Sequence, residues 1–357
     1  MDPLINGLYG IPIVGIVFQF VGYLVAIIPP TSPFILAGAV PIALGALCGV
    51  MNERSGVVNI AIEGMMLSAA FVGWLVAAAV GQPTEASGLI FGLTPGLLLG
   101  VAAAMVAAMA VSAIHAWLSI SVKADQIISG TIINIAALGF TGYLNQLISK
   151  GSPPSSGAFS PFTPPQAVVD LPVVGWILNM FLAQGPIGMS VIVLVIGLQV
   201  WLFRSRWGLR TRAVGEHPRA AETVGIDVVR LRYRNVILGG AFAGLAGAYL
   251  SLEIAGSFQN NMTIGRGFIA LAAMIFGRWT PIGAFGAALL FSLADVLQRA
   301  VTFTPPTGDL GTIMTAIPSQ FYQMLPYLLT IVVLVGVVGR SVAPAADGQP
   351  YEREAAT

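Results

Sequence analysis

The stretch FRSRWGLRTRAVGEHPRAAETVGIDVVRLRYRN, residues 203–235, is the one long charged segment in an otherwise apolar chain. Eight of the protein's 16 basic residues fall in it: Arg204, Arg206, Arg210, Arg212, Arg219, Arg230, Arg232 and Arg234. Apolar runs at 186–203 and 235–252 flank it, each close to the roughly 20 residues a bilayer-crossing helix needs. A polar loop of this size between two spans has to meet something other than lipid.

Working outward, the chain is 56% hydrophobic and only 9% charged. Soluble domains run near a quarter charged, so the composition selects an all-α polytopic membrane protein over a large globular core. The basic residues are localised rather than spread, which gives no reason to expect a nucleic-acid partner. Cys48 is the single cysteine, excluding an intrachain disulfide or a cysteine metal site. His115 and His217 are far apart in sequence, so no metal centre is expected. The first residues, MDPLINGLYGIPIVG, carry an acid and no base before the apolar stretch. That pattern predicts a retained first span rather than a cleaved leader. Glycine pairs four apart (Gly45/Gly49, Gly96/Gly100, Gly240/Gly244) suit close helix crossings in lipid.

Span-length apolar stretches occur near 11–29, 34–51, 57–79, 93–120, 126–148, 186–203, 235–252 and 323–339. Between 267 and 300 the run is interrupted by Gly277-Arg278-Trp279-Thr280-Pro281-Ile282-Gly283. We read two spans there, the first short or re-entrant near 267–277, giving about ten in all. The bias of basic residues toward the inner side places the arginine loop, Arg54, Lys123 and Arg340 in the cytoplasm, with both termini. Lys150 and Arg266 then fall outside, and the side of Arg278 stays open. The expected organisation is a transmembrane domain over 1–340, with its charged loop at 204–234, and a disordered cytoplasmic tail at 341–357. The outer loop 149–185 is rich in proline, although 173–182 can form a helix lying on the interface. It is either a docking surface for an external partner or a plain cap over helix ends.

At the centre of the charged loop is Gly215-Glu216-His217-Pro218-Arg219-Ala220-Ala221-Glu222-Thr223-Val224-Gly225-Ile226. Pro218 suits a first helical turn, Ala220 and Ala221 are small helix formers, and Gly225 can end the helix. The prediction is a helix of about two turns, smooth on one face, that seats in a groove of a protein partner. The surrounding arginines can grip anionic lipid heads and acidic partner residues.

Ala-Ala followed three residues later by Gly is similar to the cytoplasmic coupling loop of ATP-binding-cassette importer permeases. The G-E-H-P-R-A-A-E-T-V-G-I string resembles the version in the simple-sugar, branched-chain amino acid and nucleoside group. Two further matches run in the same order. One is Asn52-Glu53-Arg54-Ser55-Gly56-Val57-Val58-Asn59-Ile60-Ala61-Ile62-Glu63-Gly64-Met65-Met66-Leu67. The other is Gly265-Arg266-Gly267-Phe268-Ile269-Ala270-Leu271-Ala272 followed by 277–283. Together they cover the chain from near 34 to near 300, and the first is most similar to the subgroup served by basic-membrane-protein-type lipoproteins, which includes nucleoside permeases. Arg219 departs from the sugar-permease pattern, which has a glutamate there, and this argues against the maltose-type subfamily.

The resemblance implies a non-catalytic permease subunit of the bacterial-type plasma membrane. Its implied partners are ATPase subunits that bind the ATP and Mg, a second permease (identical or paralogous) and an extracytoplasmic solute-binding lipoprotein. ATPase coupling then falls to Gly215, Glu216, His217, Pro218, Arg219, Ala220, Ala221 and Gly225, and Ala221→Arg is expected to break assembly. This chain has no Walker-type G-x-x-x-x-G-K-[ST], so hydrolysis through that motif must come from another polypeptide.

Polar residues within spans are costly in lipid and so are candidates for the solute path. Asn59 and Glu63 lie one turn apart on one helix face. Glu63 either accepts a hydrogen bond from a solute or pairs with a neighbouring helix, through Arg54 or Arg278. Asn134 and Asp295 are read the same way. His115 reads as a satisfied helix–helix hydrogen bonder. Phe276 and Trp279, beside the 277–283 break, either stack on a ring and gate the path or simply pack. The leading expectation is import of a nucleoside or related small polar solute, with a simple sugar next. The competing class is an ion-coupled transporter or channel, which would need acids such as Glu63 and Asp295 on an ion path. An intramembrane enzyme lacks support, since neither histidine lies in an H-E-x-x-H helix.

Overall fold

The computed structural model describes residues 12–81, 90–149, 154–172, 174–324 and 341–352, whose regular secondary structure is helical with no strand. Seven helices among them are long and apolar enough to cross a membrane: Gly15–Glu53, Ile62–Val80, Pro95–Ser121, Gln126–Ile148, Pro186–Arg204, Val228–Ile254 and Pro281–Phe303. The short segment before the 277–283 break is an eleven-residue apolar helix, Arg266–Phe276. The expected last span at 323–339 lies almost wholly outside the described residues.

The first two expected spans, 11–29 and 34–51, form one 42-residue helix, Pro12–Glu53. At 1.5 Å per residue it is about 63 Å long, twice the hydrocarbon thickness. Pro29, Pro30 and Pro33 made a break the natural reading, since each removes a ladder donor. Side chains repair the ladder instead. Pro33 cannot donate to the Pro29 carbonyl, and the Ser32 hydroxyl donates to that oxygen at 2.8 Å. Thr31 Oγ1 donates back to the Ile27 carbonyl at 2.6 Å.

The chain forms two compact units. The first comprises residues 1–38, 163–183 and 289–339. Within it the Tyr23 hydroxyl donates to the Thr304 carbonyl at 3.0 Å, and Leu310 N–H to Gln19 Oε1 at 3.1 Å. Ser292 Oγ donates to the Ile35 carbonyl at 2.6 Å. The helix expected at 173–182 is present as Val174–Leu182.

The second unit comprises 39–162, 184–288 and 340–357. At its centre Ile62–Val80 and Val228–Ile254 are mostly buried, while Pro95–Ser121, Gln126–Ile148 and Pro186–Arg204 expose most of their apolar surface. Val106, Ile135, Phe140 and Val193 are each at least 65% exposed, an apolar exterior suited to lipid. All three glycine pairs sit at helix crossings. The tightest is Gly244, where a Cβ would come within 2.5 Å of the Met105 Cα. A methyl group there would force the two backbones apart.

Candidate functional site

The site is built around the 203–235 loop. Ser205 accepts from Gly208 N–H at 3.0 Å and opens the helix Arg206–Glu216. Pro218 then starts a six-residue helix, Pro218–Thr223, close to the two turns expected. Gly225, at φ +83°, turns the chain out of it, as its sequence position predicted. Asp227 accepts from Arg230 N–H at 2.9 Å and caps the next helix, Val228–Ala248.

The two alanines face opposite ways. Ala221 is 4% exposed and packs with Val214, Val228 and Leu231, with Trp207, Ile226 and Tyr351 around them. Arg219, Ala220, Thr223 and Val224 form the exposed face, Val224 at 75%. Ala221→Arg therefore damages the loop's own core, and the surface-facing alanine is Ala220. The face assignment was invisible in the sequence because adjacent alanines are chemically identical.

Arg54 joins all three sequence motifs. Its carbonyl lies against Gly215, where a Cβ would approach within 2.3 Å. Its Nε donates to the Trp279 carbonyl at 2.8 Å and its Nη2 to the Arg278 carbonyl at 3.1 Å. The guanidinium also sits 5.8 Å from the Phe203 ring centroid. Arg278 and Trp279 adopt φ of +53° and +51°, a left-handed pair strained for residues with a Cβ. Trp279 is buried and donates its indole N–H to Glu53 Oε2 at 2.6 Å. It is thus a structural anchor of the break rather than a free stacking face. Phe276 is half-buried at the end of the short helix.

Three of the remaining path candidates are engaged with backbone. Glu63 does not pair with Arg54 or Arg278. It accepts from Gly265 N–H at 2.8 Å and Gly267 N–H at 2.6 Å, placing an acid at the positive start of Arg266–Phe276. Asn59 Oδ1 accepts from Ala61 N–H at 2.9 Å. Asn134 donates to the Ile60 carbonyl at 2.9 Å and accepts from Gly64 N–H at 2.7 Å. Gln126 accepts from Val58 N–H, and a ring nitrogen of His115 lies 2.9 Å from the Val58 carbonyl. Asn59, Glu63 and Asn134 thus come together at the 58–64 segment. Asp295 lies in the first unit and pairs with Arg299 at 2.9 Å.

Two functional-looking residues escaped the sequence reading. Glu253 accepts from Ile187 N–H at 2.8 Å and Gly188 N–H at 3.0 Å, capping Pro186–Arg204 as Glu63 caps its own partner helix. A lone acid at the end of an apolar run was the available signal. Tyr351, the lone aromatic of the tail, packs on the Ala221 cluster. Residues 341–352 are accordingly held in place, contrary to the disorder their composition predicted, while 353–357 lie outside the described residues.

Residues 33–334 match the family described as "Branched-chain amino acid transport system / permease component". The guanosine ABC transporter permease protein NupQ of Bacillus subtilis is 41% identical over 92% of this chain and 98% of its own length. The nucleoside ABC transporter permease protein NupC of Lactococcus lactis is 36% identical over 87% of this chain and 93% of that one. The glucose ABC transporter permease protein TsgB13 of Haloferax volcanii is 30% identical over 73% and 67%. An apolar exterior, a braced polar loop, a family match over residues 33–334 and relatives up to 41% identical lead to one conclusion: the chain belongs to the ABC transporter permease family of the branched-chain amino acid type.

Proposed function

We propose that the chain is the membrane permease of an ATP-driven importer for nucleosides, driven through the exposed face of Pro218–Thr223. Similarity to two permeases named for guanosine and nucleosides supports the solute class, with simple sugars next through the glucose relative. The observation that carries the coupling is the two-faced helix: Ala221 is anchored inside while Arg219, Ala220, Thr223 and Val224 face outward. A small, smooth surface backed by a packed core can receive a push without yielding.

In this reading two ATPase subunits dock on two permeases, identical or paralogous, and supply ATP and Mg. An extracytoplasmic lipoprotein delivers solute, and the charged loop and both termini lie in the cytoplasm of a plasma membrane. Dimerisation of the ATPases moves Pro218–Thr223, and contact between Arg54 and Gly215 carries the displacement to the 277–283 break. Asn59, Glu63 and Asn134 shape the wall of the path by fixing backbone rather than by holding solute. The two acids an ion-coupled mechanism would use, Glu63 and Asp295, are engaged with backbone N–H groups and with Arg299.

The test is uptake by proteoliposomes holding the chain with its cognate ATPase, second permease and lipoprotein. ATP-dependent nucleoside uptake supports the reading. Sugar uptake without any nucleoside uptake overturns the solute class, and uptake that needs no ATPase overturns the importer.

A further inference from the structure

The short helix that faces outward is too small to hold its own position. Opening a helix costs more than the first turn returns, and Pro218–Thr223 spans only six residues. Its support comes from the far end of the chain. Ala346 N–H donates to the Gly215 carbonyl at 2.8 Å, and Ala345 N–H to Glu216 Oε2 at 3.1 Å. Gly215 belongs to the last turn of Arg206–Glu216, where carbonyls lack partners within the helix, so the tail caps that helix. The Tyr351 ring lies in the cluster of Val214, Ala221, Val228 and Leu231, and its hydroxyl bonds the Glu222 carboxylate on the short helix itself.

The same segment is tied to the long helices. Arg232 is 2% exposed and donates from Nη1 to the Gln349 carbonyl at 2.9 Å. Its charge is opposed by Asp347, again from the tail. Lys123, just past Pro95–Ser121, reaches Glu352 at 2.9 Å. Residues 344–352 therefore touch the short helix on one side and the ends of two membrane helices on the other.

We propose that residues 344–352 form a strap that positions the Pro218–Thr223 helix, so that force delivered there moves the membrane helices rather than the loop alone. The proposal rests on the coupling role given above. Tyr351, Ala346 and Arg232 are positioning residues: none needs to touch solute or ATPase. Without the strap, the short helix loses its aromatic backing, its bond at Glu222 and the cap on the helix before it. The exposed face keeps its chemistry but gives way under load.

The experiment compares wild type, a chain ending at Ala343, Tyr351→Ala and Tyr351→Phe in complex with the cognate ATPase. Co-purification, ATP hydrolysis and solute uptake are measured on the same preparations. The truncated and Tyr351→Ala complexes are expected to assemble and hydrolyse ATP, while solute moved per ATP falls about five-fold or more, the low end of usual coupling between sites. Tyr351→Phe keeps the packing and is expected to recover most of the ratio. A wild-type ratio in both strap-defective complexes overturns the strap, as does a fall in assembly with the ratio unchanged. Failure of the wild-type chain itself to bind that ATPase removes the coupling reading and the strap together, so the two failures are distinguishable.

Discussion

Gly267 presents its backbone N–H to Glu63 Oε2 at 2.6 Å, and a Cβ on that glycine would come within 2.5 Å of the Glu63 nitrogen. Two segments about two hundred residues apart are therefore held at backbone contact, with one carboxylate as the fastener.

Glu63→Gln should leave one of the two N–H groups facing an amide NH2. The expected loss is about 1–3 kcal/mol, the cost of an unsatisfied buried donor. A lower melting temperature in detergent with unchanged solute KM is the expected outcome. A raised KM with unchanged melting would instead make Glu63 a solute contact.

Gly267→Ala should be harsher, because the clash is with backbone rather than a movable side chain. Overpacking of this kind costs about 1–3 kcal/mol or more. Poor folding yield on expression, not a selective transport defect, is the signature.

The two alanines should separate cleanly. Ala220→Arg is expected to fold normally and fail to bind the ATPase in a pull-down. Ala221→Arg should lower thermal stability even in the isolated permease, since it drives a cation among Val214, Val228 and Leu231. Equal melting temperatures for the two variants would contradict the assigned faces.

Arg54→Lys should uncouple rather than unfold. A lysine carries the charge but lacks the rigid fork that spans the Arg278 and Trp279 carbonyls. Uptake is expected to drop about ten-fold while ATP hydrolysis continues, corresponding to about 1.4 kcal/mol of lost coupling. Parallel loss of both activities would argue for a folding role instead.

The strap should respond to pH. Burial pushes the Asp347 carboxyl from its ordinary 3.8 up to about 6, with the Glu53 carboxyl beside it and the Arg232 charge opposing the rise. A raised value means that docking favours the protonated form. Because Asp347 and Glu53 titrate as a coupled pair, strap docking is favoured at low pH and weakens as the pair loses protons with rising pH. A spin label on Ala345→Cys, selective because Cys48 is fully buried, should be less mobile at pH 5 than at pH 8. Asp347→Asn should flatten that difference.

The sequence disclosed what depends on local chemistry and hid what depends on facing and docking. Pro218 and Gly225 marked the short helix because each acts through its own backbone, and the glycine pairs marked crossings because only glycine tolerates such approach. The helix Pro12–Glu53 was hidden since its prolines are compensated by hydroxyls whose target carbonyls cannot be read from a string. Polarity flagged Asn59, Glu63 and Asn134 as costly in lipid. Solute and backbone can both satisfy such groups, and here the backbone does. The tail looked disordered because its order comes from one tyrosine and a few main-chain bonds to distant partners.

The left-handed pair at Arg278 and Trp279 has a mechanical meaning. Each non-glycine residue in that region costs about 1–2 kcal/mol, so the joint stores roughly 2–4 kcal/mol while Arg54 holds its carbonyls. That amount lies within a few kcal/mol of what separates the two ends of a switchable equilibrium. In the proposed coupling, this break is a strained joint whose carbonyls are held by an arginine more than two hundred residues away, rather than a loose hinge.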